Sequence, residues 1–234
     1  QISVKAYIPN FITLLNLFSG CIAVIFAVNG DMKYTALFVF VGIFFDFFDG
    51  LFARKLKVQS ELGVQLDSLA DMITSGLVPG LVLYHLIGLT PKFSWDTITL
   101  FPYFGLLVTL ASAYRLAKFN ISNNISDSFI GLPTPANTLL IISLPLILEY
   151  QSNDSINALF LNPWFLIIIT LISCYLLNAP IKLIALKFKN WSFKDNMYRY
   201  LLVLSALVLL FFFQFSGIPL VIIGYVVLSV ISNK

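Results

Sequence analysis

Long apolar stretches are the feature that most constrains how this chain can fold. Hydrophobic residues make up 59% of the sequence and charged residues only 11%, and the mean hydropathy is +0.93. An ordinary soluble domain carries roughly 25% charged residues. Because a bilayer core holds no water to bond the backbone, a chain crosses it in helices of about 20 apolar residues. The sequence therefore predicts an all-α, polytopic integral membrane protein.

Eight stretches are long and apolar enough to be predicted as membrane-spanning helices. They cover approximately residues 8 to 28, 34 to 53, 65 to 88, 98 to 117, 134 to 150, 163 to 184, 198 to 215 and 217 to 232. The sequence contains no internal repeat and no stretch with the composition of a soluble domain. We therefore expect residues 1 to 234 to form a single membrane domain.

The distribution of basic residues predicts how the chain is oriented. An even number of spans places both termini on one side, and that side then holds all but two of the 14 Lys and Arg residues. The exceptions are Lys33 and Lys92. Since cytoplasmic loops hold the excess of Lys and Arg, we expect both termini to be cytoplasmic. The small net charge of +3 then describes a membrane-facing basic surface, and no nucleic-acid partner is expected.

Four carboxylates lie where the bilayer is expected. Asp46 and Asp49 are three residues apart on the second span, and Asp67 and Asp71 are four apart on the third, so each pair shares a helix face. Charge inside a membrane normally faces the bundle interior, where it is paired or bound to a cation. Oxygen ligands suit Mg²⁺ or Mn²⁺. Four carboxylates are enough to hold two such ions, which predicts a two-metal site.

The residues between these carboxylates favour a phosphate-bearing ligand. Gly50, Ala53 and Gly63 lie on or beside the carboxylate faces, where small side chains let a ligand or a neighbouring helix approach closely. Arg54 follows at the cytoplasmic end of its span, and a guanidinium can bind phosphate oxygens. Together they predict a site for a nucleotide diphosphate that opens toward the cytoplasm.

Two other interpretations of the carboxylates stay open at this point. They could cap helix ends or pair with the basic residues at 54 to 57 near the membrane surface. They could also form the ion path of a cation transporter or channel. A transporter has no need for Gly50, Ala53, Arg54 and Gly63 in this register, whereas a pocket for a nucleotide-linked lipid uses all four.

The spacing Asp46-x-x-Asp49-Gly50-x-x-Ala53-Arg54, then eight residues, then Gly63-x-x-x-Asp67-x-x-x-Asp71 resembles the signature of the CDP-alcohol phosphotransferases. The resemblance implies a core of six transmembrane helices, a homodimer, and two metal ions held by the four aspartates. It also implies transfer of a phosphatidyl group from a CDP-activated lipid to an alcohol, with release of CMP. In that family the last aspartate of the motif, here Asp71, is the general base.

Four further segments resemble the membrane-embedded phosphatidylserine synthases. They are "IPNFITLLNLFSG" (8 to 20), "DSLADMITSGLVPG" (67 to 80), "YRLAKFN" (114 to 120) and "GLPTPA" (131 to 136). The resemblance covers roughly the first 136 residues. It implies CDP-diacylglycerol as the donor, L-serine as the acceptor and a bacterial inner membrane as the location, with an archaeal membrane as the alternative. Glycerol phosphate, inositol or inositol phosphate remain alternative acceptors.

The same resemblance places the segment from 114 to 136 on the acceptor side of the site. Serine carries a carboxylate that needs a cation, and Arg115 and Lys118 are the candidates, with Asn120 as a polar contact beside them. Basic residues at a cytoplasmic helix end can instead serve orientation alone. The residues expected to contact the CDP-lipid are Asn10, Thr13, Asp49, Gly50, Ala53, Arg54, Gly63 and Asp67.

Overall fold

A computed structural model of the protein describes residues 7–90, 100–121, 129–184 and 193–232, and these residues are almost entirely helical. The described residues form ten α-helices. In chain order they are α1 (Tyr7–Val28), α2 (Met32–Leu56), α3 (Glu61–Asp71), α4 (Val78–Gly88), α5 (Leu107–Ile121), α6 (Thr134–Tyr150), α7 (Asp154–Phe160), α8 (Pro163–Asn178), α9 (Phe193–Phe213) and α10 (Gly217–Ser232).

Short irregular elements join some of these helices. A π-helical turn, Met72–Leu77, links α3 to α4 without interrupting the helix, and a 3₁₀ turn, Phe101–Leu106, leads into α5. Two strands of two residues each, β1 (Phe129–Ile130) and β2 (Lys182–Leu183), pair antiparallel. This ladder joins the chain before α6 to the chain after α8.

The prediction of an all-α polytopic membrane protein is confirmed. By length and hydropathy, four helical segments of the described residues could cross a membrane, or five if α7 and α8, which meet at 59°, form one bent span. The four segments are Tyr7–Val28, Met32–Leu56, Glu61–Gly88 and Met197–Ser232. The count of eight spans stays a prediction. Helix α7 was not predicted at all, and α8 ends at Asn178 rather than at residue 184. Ala179 is extended there because the following proline disfavours a helical conformation.

The last apolar stretch folds back on itself. Residues Met197–Ser232 meet the hydropathy criterion as one segment of 36 residues, but Gln214 has a positive φ of 50° and the chain turns there. A Cβ added to Gly217 would lie only 2.5 Å from the Leu209 carbonyl oxygen, so the two helices approach closely at the turn. The Gln151 side-chain amide donates a hydrogen bond to the Phe213 carbonyl in this turn. Helices α9 and α10 therefore form a hairpin.

Two tight connections place the ends of the first three helices side by side. Gly30, with φ of +77°, turns the chain between α1 and α2, and Asp31 caps α2 by accepting from the Tyr34 amide at 3.2 Å. Lys57 ends α2 in a left-handed conformation, and the Ser60 hydroxyl caps α3 through the Gly63 amide at 3.0 Å. The carboxylates on α2 and α3 consequently face each other beside α1.

Glycines allow the closest packing next to these carboxylates. Gly20 on α1 and Gly42 on α2 both lie against Thr74, which the π-helical turn carries. A Cβ at Gly42 would approach Thr74 Cγ2 to 2.6 Å and Asn16 Oδ1 to 3.0 Å. In contrast, Gly224 on α10 has no atom within 4 Å of its ideal Cβ position. The close junction of α1, α2 and the π-helical turn therefore depends on residues without a side chain.

Replacing Gly42 with Ala should destabilise the protein by about 1–3 kcal/mol, because overpacking displaces the Thr74 side chain and the Asn16 amide. The measurement is the midpoint of thermal unfolding in detergent. Gly224→Ala is the matched control and should leave the midpoint unchanged or raise it slightly, since alanine favours helix more than glycine does. Equal midpoints for the two variants would contradict this account of the junction.

Candidate metal and phosphate site

Three carboxylates from two helices converge. One carboxylate oxygen from each of Asp46, Asp49 and Asp67 lies within 4.8 Å of the others. Asp49 is only 6% exposed, and the other two are partly buried. All three ligand atoms are hard anionic oxygens, the donors that Mg²⁺, Mn²⁺ and Ca²⁺ prefer. These aspartates could bind a metal ion.

An orphaned oxygen supports the same conclusion. Asp67 Oδ1 is buried and has no hydrogen-bond partner within the described residues. A buried carboxylate oxygen without a partner is costly, and coordination of a cation would offset that cost. The donor set and the geometry thus fit a divalent ion.

Asp71 takes a different position from the other three. It lies one helical turn beyond Asp67 at the end of α3, is 9% exposed, and is next to Asp46. It is not part of the three-carboxylate set, so its predicted role as a fourth metal ligand stays a prediction. Its carboxylate instead accepts a hydrogen bond from Asn16 Nδ2 at 3.4 Å.

Helix α1 supplies hydrogen-bond donors to one carboxylate on α2 and to one on α3. Thr13 Oγ1 donates to Asp49 Oδ2 at 2.5 Å, so one residue predicted to line the nucleotide pocket contacts the carboxylates directly. The Asn16 side-chain NH₂ group donates to the Asp71 carboxylate. Thr74 Oγ1 donates to Asn16 Oδ1 at 2.8 Å, and this bond keeps the NH₂ group of the amide directed toward Asp71. Both Thr13 and Asn16 are buried.

Neither Asn16 nor Thr74 was predicted from the sequence to be a site residue. A signal for Asn16 existed: it is an amide inside an apolar span, three residues after Thr13 and therefore on the same helix face. Thr74 offered none, because its position depends on the π-helical turn that begins directly after Asp71. Such turns are frequent at functional sites, but no spacing in the sequence marks this one.

The small residues of the motif leave space at the open end of the site. Arg54 is exposed, and its guanidinium lies over Gly50, 3.8 Å from an ideal Cβ there. Asn10 lies against Gly63, with Oδ1 3.2 Å from an ideal Cβ. Ala53 is partly buried. A cation and an amide therefore border the same end of α2 and α3.

The structure places the three predicted acceptor residues on the last turns of α5. Asn120 donates to Gln65 Oε1 and accepts from the Ser68 hydroxyl, so the end of α5 lies against α3. Lys118 is exposed. Arg115 Nη1 donates to two backbone carbonyls, those of Ile130 at 2.8 Å and Leu177 at 2.7 Å. Whether these three residues contact a substrate stays a prediction.

The chain is similar in sequence to proteins of known name. The family model described as CDP-alcohol phosphatidyltransferase matches residues 6–231. The CDP-diacylglycerol–serine O-phosphatidyltransferase of Bacillus subtilis is 35% identical over 142 residues, which is 59% of this chain and 75% of that protein. The protein of the same name from Helicobacter pylori is 35% identical over 137 residues, 57% of this chain and 55% of its own length.

An archaeal relative carries a related name. The archaetidylserine synthase of Methanothermobacter thermautotrophicus is 28% identical over 139 residues. That match covers 58% of this chain and 56% of the archaeal protein, so the similarity spans only about half of two of these three relatives.

Asp67→Asn should abolish stabilisation by divalent ions. We expect millimolar Mn²⁺ to raise the thermal midpoint of the wild-type protein, because a ligand that binds only the folded state stabilises it. The variant should lose this increment, while its metal-free form should be at least as stable as the wild type, since one repelling charge is gone. Asp154→Asn, at the exposed start of α7, is the control and should keep the full increment. An Mn²⁺ response retained by Asp67→Asn would contradict the site.

Proposed function

The chain belongs to the CDP-alcohol phosphatidyltransferase family, whose model matches residues 6–231 of its 234, and on this premise we propose that it makes phosphatidylserine. The phosphatidyl group of CDP-diacylglycerol would pass to the hydroxyl of L-serine, with CMP as the second product. The convergence of Asp46, Asp49 and Asp67 on one point is the observation that carries this proposal. The serine acceptor is supported by the names of the relatives.

Two divalent ions, Mg²⁺ or Mn²⁺, are proposed as cofactors, held by Asp46, Asp49, Asp67 and Asp71. When bound, they supply positive charge that offsets the negative charge of the pyrophosphate and of the departing CMP. Residues next to these aspartates would bind the CDP-lipid directly. Arg54 would bind a phosphate oxygen of the CDP-lipid, and Gly50, Ala53 and Gly63 leave the space that the nucleotide needs.

Asn10 and Thr13 complete the proposed nucleotide side of the pocket. Asn10 lies at Gly63, where its amide can donate to or accept from the nucleotide. Thr13 acts through Asp49, because its hydroxyl is already donated to that carboxylate and keeps it in place. Asp49 and Asp67 thus belong both to the metal site and to the pocket for the CDP-lipid.

Asp71 is proposed as the general base. The serine oxygen attacks the lipid-linked phosphorus, the bond from that phosphorus to the CMP oxygen breaks, and the serine proton passes to the Asp71 carboxylate. CMP leaves with the electron pair of the broken bond. The Asn16 amide, itself held by Thr74, orients the Asp71 carboxylate for this transfer. A base held in this way contributes about 10²–10⁴-fold to the rate.

The acceptor is proposed to bind near the end of α5. Lys118 and Arg115 would attract the serine carboxylate, and Asn120 would add a polar contact at α3. Glycerol phosphate or inositol phosphate would suit the same cations, and inositol would not need them, so these remain the alternative acceptors. A cation transporter is disfavoured because it has no need for the small residues and the arginine that accompany the aspartates in this register, Gly50, Ala53, Arg54 and Gly63.

The proposed setting is a bacterial inner membrane, with the site facing the cytoplasm. An unequal distribution of basic residues supports this orientation. Arg54, Arg115 and Lys118 lie at the end of the bundle that carries the aspartates. Lys33 lies at the opposite end, beside Tyr150. The proposal further includes a single domain and a homodimer, the assembly that the family resemblance implies. Light scattering of the protein in detergent, corrected for bound detergent, measures that assembly.

Asp71→Asn should lower turnover by about 10²–10⁴-fold while CDP-diacylglycerol still binds, because the amide cannot accept the serine proton. The measurements are CMP release and equilibrium binding of the CDP-lipid, each with protein of unchanged thermal midpoint. Asp31→Asn, which changes a helix cap at the opposite end of the bundle, is the control and should retain its turnover. Near-normal turnover of Asp71→Asn would remove this residue as the base.

Lys118→Ala should raise the KM for serine more than the KM for the CDP-lipid, because the exposed ammonium group is proposed to meet only the acceptor. The measurement is the pair of KM values from initial rates of CMP release. Lys33→Ala removes a lysine at the opposite end and should change neither value. An equal rise in both KM values would place Lys118 outside the acceptor pocket.

A further inference from the structure

Two side chains of helix α10 form hydrogen bonds with the backbone of Ile184. Tyr225 Oη donates to the Ile184 carbonyl at 3.0 Å, and the Ile184 amide donates to Ser229 Oγ at 3.2 Å. Tyr225 and Ser229 are four residues apart on α10 and therefore share one helix face. Both are buried, with exposed fractions of 8% and 0%. Helix α10 thus fixes the position of residue 184 and of the strand that precedes it.

That strand fixes the segment that leads into α6. Lys182 in β2 pairs with Ile130 in β1, and the Gly131 amide donates to the Ile181 carbonyl at 2.8 Å. Apolar packing supports the same connection, because Leu132, Leu183 and Tyr225 belong to one buried cluster. Ile184 is therefore connected to residues 130 and 131 through the paired strands and their shared apolar cluster.

The Arg115 guanidinium contacts the segment formed by residues 130 and 131. Its Nη1 atom donates to the Ile130 carbonyl at 2.8 Å and to the Leu177 carbonyl at 2.7 Å. Gly131 has a left-handed φ of +74°, and a Cβ there would lie 2.8 Å from Arg115 Nη1. The guanidinium is thus held by backbone whose position α10 determines. The phenol of Tyr225 is also near enough to the guanidinium to interact with it electrostatically.

We propose that Tyr225 is a positioning residue for the acceptor site, acting on Arg115 through Ile184 and the β1–β2 ladder. A guanidinium has five N–H donors, and the two backbone carbonyls occupy only one of its nitrogens. The other nitrogens keep donors for an anionic group of the acceptor, and the ladder sets the direction in which they point. Helix α10 then serves the acceptor site. This inference rests on the proposed function, in which Arg115 faces the acceptor.

The test is Tyr225→Phe, which removes the hydroxyl and keeps the ring in its apolar cluster. KM for serine, KM for CDP-diacylglycerol and kcat are measured with the full chain in detergent. We expect the serine KM to rise about 2–10-fold, the effect of one lost hydrogen bond, while the lipid KM and kcat stay within about twofold. Tyr175→Phe, an exposed tyrosine on α8, is the matched control and should change none of the three.

A double-mutant cycle separates positioning from a merely structural role. If Tyr225 acts through Arg115, Tyr225→Phe should add nothing further to the serine KM of Arg115→Ala. Ser229→Ala, which removes the other contact to Ile184, should shift the serine KM in the same direction and keeps the test open if Tyr225→Phe does not fold. An unchanged serine KM, equal shifts of both KM values, or effects that add in the cycle would each overturn the inference.

Failure of the proposed function has a different signature. If the wild-type protein releases CMP with another alcohol and not with serine, serine is wrong as the acceptor, and the same comparison with the KM of that alcohol still decides the role of Tyr225. Silence of the wild-type protein with every acceptor would overturn both.

Discussion

The repulsion among carboxylates gathered between apolar helices is the constraint on which the rest of this structure depends. Asp46, Asp49 and Asp67 bring oxygens within 4.8 Å of one another, and Asp67 Oδ1 is buried without a partner in the described part of the chain. Such an arrangement is costly in an apolar environment unless a cation or donated protons offset it. The neighbouring elements are arranged to supply those donors and to leave room for the cation.

Helix α1 and the π-helical turn illustrate how packing meets that constraint. Thr13 and Asn16 present donors to the carboxylates only because α1 lies close against α2 and α3, and glycines at 20 and 42 permit that approach. Thr74 closes the junction and holds the Asn16 amide in one orientation. A second network begins at α10, which binds the backbone of residue 184, and the β1–β2 ladder connects that residue to the backbone that binds Arg115. The positions of the donors in both networks are therefore consequences of helix packing.

The length of the apolar stretches and the helical spacing of the aspartates predicted much of the structure. Apolar length identified the all-α membrane class, and the spacing of Asp46, Asp49 and Asp67 placed their carboxylates on facing helices, as the structure has them. Features that depend on a local break in regular structure were not visible. The π-helical turn after Asp71, the end of α8 at Asn178 and the separate helix α7 follow from tertiary packing and from single residues such as Pro180, which hydropathy does not register. The two backbone carbonyls bound by Arg115 come from segments 15 and 62 residues away, so no local pattern could indicate them.

The central claim is that these carboxylates serve transfer of a phosphatidyl group to serine. The most direct measurement is CMP release by the purified protein in detergent, with CDP-diacylglycerol and Mn²⁺ or Mg²⁺, comparing serine with glycerol 3-phosphate, inositol, choline and no acceptor. We predict release that requires both serine and the divalent ion and that stops when the ion is chelated. Release that persists in EDTA, or no release with any acceptor from protein shown to be folded, would contradict the claim.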